Sequence, residues 1–478
     1  MRGLAARVLL ASFDGPTLPD WARRRLEHGL GGICLYGTNI VDRPQIAALN
    51  RAVHEVNPLA ITSLDEEGGD VTRLYYLEGS PHAGHAVLGR ADDVELTLAV
   101  AADVGTELLA HGVDLDLGPV ADVNSTPDNP VIGVRSFGSD PTLVARHVSA
   151  WVRGVQSAGS GACLKHFPGH GDTTVDSHLA LPTVTEPLEV LRERELVPFV
   201  AGVRAGAVAV MTSHVVVPAV EPDVPATFSA AATRLLREEV GFTGLLVSDA
   251  LDMQGASGGR GIPAAAVLAL AAGVDLLCLG SSFTDQRVQD VVDAIVDAVG
   301  NGDLPWERLT DAASRVDVAA ARLAELRAHA KAAPNPEAST QAARRAVDTG
   351  GQPLATVVNA QVLRVLTGTN EAVGHAPWGL PEQGSVLSGG KARDVRQGDQ
   401  PWLDLGPEPV VVLVRDAHRH PWAQHLIAQV VAARPDTVVV EMGWPADSDP
   451  IPPGTLRTWG ASAASSSALD AVLSGAAS

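Results

Sequence analysis

Short runs of apolar and β-branched residues recur along the first part of the chain, and helix-length amphipathic segments separate most of them. The apolar runs are 7–13, 32–36, 59–64, 115–120, 162–165, 207–212, 244–248 and 274–279. The amphipathic segments include 93–111, 141–157, 187–205, 229–239 and 286–299. Buried strands that alternate with helices are typical of a parallel sheet covered by helices. Eight such repeats predict an α/β fold that closes into a (β/α)8 TIM-type barrel.

Polar residues follow several of the predicted strands. They are Asp65, Asp122, Lys165 with His166, His214 and Asp249. In a (β/α)8 barrel the carboxyl ends of the strands converge on the face that carries the active site. An open doubly wound sheet is the structural alternative, but it would not explain polar residues after so many different strands.

The chain changes character after a long helical segment at 305–331. The stretch AAPNPEAST is typical of an interdomain linker. We therefore predict a catalytic barrel domain at 1–332, a linker at 333–345 and a smaller C-terminal α/β domain at 346–478. Strands of that domain are predicted at 355–358, 362–366, 410–414 and 437–441, with a helix at 420–433. The polar region 379–401 and the low-complexity tail carry no readable chemistry.

Composition and charge exclude several classes of function. Hydrophobic residues make up 46% of the chain and charged residues 19%. No apolar run approaches the roughly 18 residues that a membrane span needs, so we expect no membrane insertion. The net charge of −21 disfavours binding to nucleic acid or to anionic membrane surfaces.

The N-terminus and the cysteines indicate the cellular compartment of the protein. The opening MRGLAARVLLASFDG predicts a first strand rather than a signal peptide. Cys34, Cys163 and Cys278 lie far apart in apolar runs, which predicts buried thiols rather than a disulfide framework. We therefore expect a cytoplasmic protein.

The segment KHFPGHGDTTVDSH at 165–178 concentrates ionisable side chains among glycines and a proline. The chain has only three lysines, so Lys165 at a strand end beside His166 is not routine surface charge. A structural ion pair is the alternative for Lys165. The H-x3-H spacing lies on a Gly/Pro loop that lacks the rigid element metal ligands need, so we predict no metal and no cofactor.

Two further features indicate acid/base and nucleophilic chemistry. Asp176 precedes His178 by two residues, and a carboxylate there can hold the tautomer of the imidazole and raise its basicity. A satisfied surface histidine is the alternative. Asp249 ends a very apolar strand, so its carboxylate would emerge at the barrel mouth, although helix N-capping would also explain it.

Cationic and acidic side chains elsewhere suit a sugar. Asp65, Arg73 and Arg135 are of the kind that hold sugar hydroxyls by paired hydrogen bonds, although each could instead be structural. The chain has no Gly-rich phosphate loop. Two carboxylates, a histidine acid/base and cationic anchors together indicate a site that cleaves glycosides.

An ordered set of motifs through the first 330 residues resembles the family 3 glycoside hydrolases, in particular the β-N-acetylglucosaminidases of the NagZ type. The matching pieces include GLGGICLYGTNI, LDEEGGDVTR, LGPVADVNSTPDNPVIGVRSFG, CLKHFPGHGDTTVDSHLALP and LLREEVGFTGLLVSDALDM. The KHFPGHGDT…DSH segment discriminates within the family. Its β-glucosidase members share only a shortened Lys-His-Phe core and draw their acid/base glutamate from the second domain.

The resemblance implies roles at matching positions. It implies that Asp249 is the nucleophile and that His178 is the acid/base with Asp176 as its dyad partner. The positions that match the N-acetylglucosamine-binding set are Asp65, Arg73, Arg135, Lys165 and His166. Glu66 stands where the family usually has glutamine, and Asp70 where it usually has arginine, so we expect the charge near the sugar pocket to differ.

The implied activity is retaining, exo-acting removal of non-reducing terminal N-acetylglucosamine from muropeptides or chitooligosaccharides. It would pass through a covalent glycosyl-aspartate intermediate. Phosphorolysis at the same site is an alternative, because a neutral imidazole does not repel an anionic acceptor. The sequence also leaves open a family 3 β-glucosidase-type exo-glycosidase and a catalytically silent sugar-binding protein. A small carbohydrate is the expected partner, and no oligomeric state is predicted.

Overall fold

Two parallel sheets organise the chain in the computed structural model, which describes residues 1–173, 181–351, 355–368, 372–387, 390–446 and 451–476. The predicted dyad, Asp176 and His178, lies outside these described residues. Within them, no helix is both long enough and apolar enough to cross a membrane.

The first sheet is the predicted barrel. Its strands are β1 (Leu9–Ala11), β2 (Gly32–Cys34), β3 (Ile61–Leu64), β4 (Leu115–Asp116), β5 (Gly161–Phe167), β6 (Ala209–Thr212), β7 (Leu245–Val247) and β8 (Leu277–Cys278). They are parallel, in the order β7-β6-β5-β4-β3-β2-β1-β8. A parallel bridge between Val247 and Leu276 brings β7 against the chain that enters β8 and closes the ring. The barrel prediction is confirmed.

Helices surround the strands. They are α1 (Arg2–Arg7), α2 (Asp20–Glu27), α3 (Arg43–Val56), α4 (His85–Ala91), α5 (Val94–Ala110), α6 (Pro141–Ser157), α7 (Leu188–Glu193), α8 (Leu196–Arg204), α9 (Ala230–Arg234), α10 (Gln254–Ser257), α11 (Ile262–Ala272), α12 (Asp285–Asn301) and α13 (Trp306–Ala328). Helix α6 has its predicted limits because the Asp140 side chain caps it and Pro141 takes its first position. The predicted helix 187–205 is instead two helices. Pro198 lacks an N–H and is tolerated only near a helix start, so α8 begins anew at Leu196.

The interior of the barrel is packed, and its amino end is covered by α13. One apolar cluster joins strand side chains with Val316 and Leu323 of α13. Gly161, the first residue of β5, leaves room for this helix, since a Cβ there would lie 2.3 Å from the Leu323 side chain. The three cysteines are buried free thiols, as predicted. The open end of the barrel is therefore the carboxyl end of its strands.

The second sheet belongs to the C-terminal part of the chain. Its strands are β9 (Gln361–Val365), β10 (Arg393–Val395), β11 (Val410–Val414), β12 (Val438–Glu441) and β13 (Leu456–Arg457), and the helices of this part are α14 (Ala338–Ala346), α15 (Pro421–Ala433) and α16 (Ala463–Leu473). The parallel order is β10-β9-β11-β12-β13. Alternate residues of β11 face opposite sides: Val411 and Leu413 pack in one apolar cluster, and Val410 and Val412 in the other.

One predicted strand of this part differs from the structure, and three further segments form elements that the sequence did not predict. The predicted strand 355–358 is irregular, because the Val357 N–H donates to the Leu473 carbonyl at the end of α16 instead of to a strand. The region 379–401 contributes β10, and the tail contributes α16. The segment predicted as a linker, 333–345, contains most of α14, whose alanines Ala338 and Ala342 are fully buried against the barrel helices.

Candidate active site

A cavity of about 420 Å³ opens at the carboxyl ends of the barrel strands. Six of the eight residues predicted for the site line it: Asp65, Arg73, Arg135, Lys165, His166 and Asp249. Residues from β3, β5 and β7 or just beyond them reach this one space, as a closed barrel requires. Its volume falls within the range of small-molecule sites.

Lys165 is a fully buried cation of the cavity wall. Its side chain is 2% exposed, and its ammonium lies 2.7 Å from Asp65 Oδ1 and 2.7 Å from Glu67 Oε1. Burial alone would lower the pKa of Lys165, but the two carboxylates outweigh it and hold that pKa above its ordinary value. Burial would likewise raise the pKa of Asp65, yet Lys165 and Arg73 hold it below the usual range. These groups are therefore all charged at neutral pH.

Arg135 is held in the same network by Glu67. Its Nε and Nη2 donate to the two Glu67 oxygens at 2.9 and 2.8 Å, and both side chains are buried. Burial raises the pKa of Glu67, but Arg135 and Lys165 together bring it far below its ordinary value. Sequence reasoning missed Glu67, which orients two of the predicted sugar-binding cations. The sequence feature that could have indicated it is its position two residues after Asp65 in LDEEGG.

His166 is oriented by Asp122. The Nδ1 atom lies 2.7 Å from Asp122 Oδ2, and Asp122 Oδ1 also accepts the backbone N–H of His170 at 2.7 Å. Because a carboxylate can only accept, His166 donates its Nδ1 proton to Asp122. Its Nε2 lies 3.5 Å from Arg135 Nη2. The sequence placed Asp122 at a strand end without giving it this role.

Arg73 joins the cavity to the second sheet domain. One terminal nitrogen lies 3.4 Å from Asp65 Oδ2 and donates to the backbone carbonyl of Ala372 at 3.0 Å. Ala372, which follows β9, also lines the cavity. The C-terminal part of the chain therefore supplies part of the cavity wall.

Asp249 lies two residues beyond β7 and is half-buried at the cavity. The backbone N–H of Ala250 donates to its Oδ1 at 2.8 Å. His214, which follows β6, donates from Nε2 to the Ala250 carbonyl at 3.0 Å and contacts Thr227 through Nδ1 at 2.9 Å. The other strand-end histidine therefore supports the turn that carries the Asp249 carboxylate.

The chain beyond β5 is anchored up to the last described residue before the dyad. Asn129 Nδ2 donates to the His170 carbonyl at 2.9 Å, and His170 Nδ1 lies 2.8 Å from Thr173 Oγ1. The Asp172 carboxylate accepts from Ser125 at 2.6 Å and pairs with Arg194 at 3.0 Å. Burial lowers the pKa of His170 to about 4, so this ring is neutral. The segment 170–173, which leads to Asp176 and His178, is thus held by its contacts with Asn129, Ser125 and Arg194.

The two departures from the family pattern do not line the cavity. Glu66 Oε2 accepts from the Thr72 hydroxyl at 2.8 Å and from the N–H groups of Arg73 and Leu74 at 3.0 Å, so it shapes the loop after β3. Asp70 accepts the N–H of Ala461 at 2.7 Å and pairs with Arg415 at 3.5 Å. Neither carboxylate reaches the cavity surface, and the expected difference in charge near the sugar pocket stays a prediction. Glu66 supports a turn, and Asp70 contacts the second sheet domain.

The two histidines at the cavity wall have separate partners. The rings of His166 and His170 lie edge to face with their centroids 5.9 Å apart, and they contact Asp122 and Thr173 respectively. In the part of the chain that the structure describes, no three histidine, cysteine, aspartate or glutamate side chains are grouped so that they could hold a metal ion.

Comparisons with known proteins agree with this geometry. Residues 21–319 match the model of the glycosyl hydrolase family 3 N-terminal domain. The beta-hexosaminidase of Xylella fastidiosa (strain M12) is 35% identical over 323 residues, which cover 63% of this chain and 94% of that protein. The beta-hexosaminidase A of Pseudoalteromonas piscicida is 32% identical over 326 residues, but the match spans only 54% of that protein and 62% of this chain.

A solved structure extends the similarity over both sheets. It is that of a glycoside hydrolase family 3 beta-N-acetylglucosaminidase from Paenibacillus sp. str. FPU-7. The two structures superimpose with a TM-score of 0.86 at 31% identity, covering 99% of this chain and 96% of that one. The arrangement of a barrel followed by a smaller parallel sheet is therefore shared with that protein.

Proposed function

The chain belongs to glycoside hydrolase family 3 and is a β-hexosaminidase, and we propose that it removes single β-linked N-acetylglucosamine residues from non-reducing ends with retention of configuration. We propose muropeptides or chitooligosaccharides as substrates, cleaved in the cytoplasm. One observation carries the proposal: the Asp249 carboxylate lines the same cavity as the ion cluster of Asp65, Arg135 and Lys165. The choice of a hexosamine as the sugar is supported by the names of the similar proteins.

The ion cluster suits a sugar because its charges are already compensated. Lys165 and Arg135 are paired with Asp65 and Glu67, so a neutral sugar can accept and donate hydrogen bonds there without leaving an unpaired buried charge. Asp122 occupies the Nδ1 atom of His166, which leaves the Nε2 atom at the cavity for a sugar hydroxyl. A cavity near the lower end of the usual range suits a terminal sugar better than a long chain.

The proposed mechanism is a double displacement. Asp249 attacks the anomeric carbon while His178 gives its proton to the leaving oxygen, which forms a glycosyl-aspartate ester. His178 then takes a proton from water, which attacks the same carbon and releases the sugar with its original configuration. Asp176 holds the tautomer of His178 in this scheme. Most retaining enzymes use a second carboxyl group where we propose an imidazole.

Product analysis with a chromogenic N-acetylglucosaminide tests the proposal. We expect faster release from this compound than from the matched glucoside, and NMR should show the β-anomer as the first product. Parallel reactions with phosphate would reveal any sugar phosphate formed by an alternative acceptor. An α-anomer as the first product, or a preference for the glucoside, would contradict the proposal.

A further inference from the structure

One side of the sugar cavity has no role in the mechanism proposed above. Four of the residues that line this side are Tyr36 after β2, Asp252 after β7, Cys278 in β8 and Ser281 after β8, and we call them the β8 wall. Asp252 is the carboxylate of this set. It lies three residues beyond Asp249, the proposed nucleophile, and lines the same cavity.

The chain after β8 holds the Asp252 side chain in place. The Ser281 backbone N–H donates to Asp252 Oδ2 at 2.8 Å, and the Ser281 hydroxyl lies 3.4 Å from the same oxygen. Gly280 has a φ of +102°, and a Cβ there would lie 1.9 Å from Asp252 Cγ, so a glycine makes room for the carboxylate. A carboxylate has about four acceptor positions, so Ser281 leaves capacity for a ligand.

The charge of Asp252 has no cation beside it. Burial raises the pKa of Asp252, whereas the bonds from Ser281 oppose this shift and favour the ionised form. Among the described residues, no lysine, arginine or histidine forms an ion pair with Asp252. The described lysine and arginine side chains that line the cavity come from β5 or from the segments after β3 and β4, and they are paired with Asp65 or Glu67. The β8 wall therefore carries an uncompensated negative charge.

The rest of the β8 wall is only weakly polar. The Tyr36 hydroxyl lies 3.4 Å from Cys278 Sγ, so the two groups contact each other. Burial raises the pKa of Tyr36 well above its usual range, and the neighbouring thiols and Asp252 raise it further, so the phenol is neutral. The wall thus offers one strong acceptor in weakly polar surroundings.

The order of the strands indicates how a sugar ring lies in the cavity. In the closed ring of eight strands, β7 and β3 are four strands apart in both directions, so they lie opposite each other. The anomeric carbon must lie at Asp249, which follows β7. The C4 atom is the opposite corner of a pyranose ring, so it points towards Asp65, which follows β3. One edge of the sugar then faces β5, and the other faces β8, β1 and β2.

Polarity indicates which edge of the sugar faces which side. The C2–C3 edge of N-acetylglucosamine carries an amide and a hydroxyl, which suit the several polar groups of Lys165, His166 and Arg135. The other edge carries the ring oxygen and the hydroxymethyl group at C6. A hydroxymethyl group has an apolar carbon and one donor, so it matches the β8 wall with its single carboxylate.

We propose that Asp252 determines specificity at C6 of the sugar, where it accepts a hydrogen bond from the 6-hydroxyl and repels anionic substituents. The inference rests on the proposed function. A hydrogen bond from a hydroxyl to a carboxylate is charge-assisted and stabilises the bound sugar. A phosphate or sulfate ester at C6 instead places like charges together in a partly buried site. Sugars that have been phosphorylated at C6 before cleavage are therefore poor substrates.

Three chromogenic N-acetylglucosaminides with the same leaving group test this role. They are the parent sugar, its 6-deoxy analogue and its 6-phosphate. In the wild type we expect kcat/KM to be about tenfold lower for the 6-deoxy sugar, the lower end of what a hydrogen bond to a charged group contributes. It should be at least about 100-fold lower for the 6-phosphate, because like charges meet. Asp252→Ala should bring the ratio of parent to 6-deoxy sugar close to one.

Asp252→Asn separates the charge of this side chain from its support of the loop. The amide keeps the size of the side chain and an oxygen for the Ser281 N–H, but it removes the negative charge. The rate on the 6-phosphate relative to the parent sugar should therefore rise by about tenfold, and part of the preference for the 6-hydroxyl should remain. A purely structural role for Asp252 would not change either ratio.

Asp14→Asn is the matched control. Asp14 is exposed, does not line the cavity and accepts a hydrogen bond from Ser282, the neighbour of Ser281, so the same loss of charge there should change neither ratio. A wild type that cleaves the 6-deoxy sugar as fast as the parent, or Asp252 variants that leave both ratios as in the wild type, overturn the role of Asp252 alone. If the wild type does not cleave the parent sugar, the proposed function fails and this role fails with it.

Discussion

The imidazole of His178 has two tasks in the proposed mechanism, and the choice of substrate separates them. In His178→Ala, a dinitrophenyl glycoside needs no proton on its leaving group and should still form the glycosyl-enzyme quickly. A disaccharide needs that proton and should lose about 10²–10⁴-fold in rate, the usual contribution of general acid/base catalysis. Rapid-quench measurement of the first step on both substrates checks this difference.

Two related measurements sharpen the assignment of the dyad. Azide needs no general base and should restore the second step of His178→Ala as a glycosyl azide. Asp176→Ala should show a smaller loss in the same direction, because the imidazole remains. Equal losses on both substrates, with no azide product, would instead indicate an acid/base carboxylate from elsewhere, such as the second sheet domain.

Replacement of Asp249 should cause the most complete loss of activity. Asp249→Asn keeps the size of the side chain and an oxygen for the Ala250 N–H, which donates at 2.8 Å, so the fold should persist. Turnover should fall by several orders of magnitude, because a covalent nucleophile has no substitute. Steady-state rates and circular dichroism of the variant check both statements. A fluorinated N-acetylglucosaminide that labels a different residue would remove Asp249 from this role.

Glu66 predicts a dependence of stability on pH. Burial raises the pKa of Glu66 to about 7, although bonds from Thr72 and two backbone N–H groups oppose the shift. The unfolded chain ionises near 4.5, so stability falls as the pH rises from 4.5 to 7 and stays constant above. Glu66→Gln removes this loss and should stabilise the protein by about 3 kcal/mol at pH 8 but hardly at pH 4. Denaturant unfolding at both pH values measures it, and equal effects at both would refute it.

The sequence predicts the roles of site residues that lie together in one motif. It does not predict the roles of residues whose partners lie on other loops. Lys165 and His166 stood out because lysine is rare and the two adjoin at a strand end. Glu67, Asp122 and His214 gained their roles from partners far along the chain, and local sequence does not specify such partners. Their positions after strands were visible, but their orienting contacts were not.

At the scale of elements, hydrophobic periodicity succeeded for the barrel and failed at the margins of the second sheet. Fully buried strands of a barrel read as continuous apolar runs, which makes them conspicuous. The edge strands β10 and β13 are three and two residues long and include exposed or half-buried arginine. Their pairing comes from neighbours in the sheet, so no local pattern marks them.

The loop after β3 faces the sugar on one side and the second sheet domain on the other. Gly68 and Gly69 take left-handed conformations, with φ of +64° and +62°, and turn the chain between the two sides. Asp70, next in sequence, ties the outer side to Arg415 and the N–H of Ala461. The loop therefore couples domain docking to the position of Arg73, which bonds to the Ala372 carbonyl.

Asp70→Ala should consequently raise KM more than it lowers kcat. It leaves the Arg415 cation and the Ala461 N–H without their buried partner, so the wall that contacts Arg73 loosens. Steady-state rates on a chromogenic N-acetylglucosaminide measure the two constants. Arg345→Ala is the control, since it breaks an exposed pair with Asp93 away from the cavity and should change neither constant. A fall in kcat at constant KM would contradict this coupling.

At the scale of the whole molecule, the barrel and the second sheet domain share an apolar layer. Helix α14 packs between the barrel helices α4 and α5 and helix α16, and its residue Ala342 is fully buried there. Such a shared layer should make the two domains unfold in one transition, despite their separate sheets. Differential scanning calorimetry should therefore show a single peak for the wild type.

Ala342→Glu places a charge in this layer and should separate the two domains. Burying an unpaired carboxylate is costly, so the domains should part before either unfolds, and the single peak should become two. KM should rise in the same variant, because undocking withdraws the Ala372 carbonyl from Arg73. Gln341→Glu introduces the same residue at the exposed neighbouring position of α14 and should leave both the peak and KM unchanged. A single peak at the wild-type temperature with an unchanged KM in Ala342→Glu would mean that the barrel binds its sugar independently of the second sheet domain.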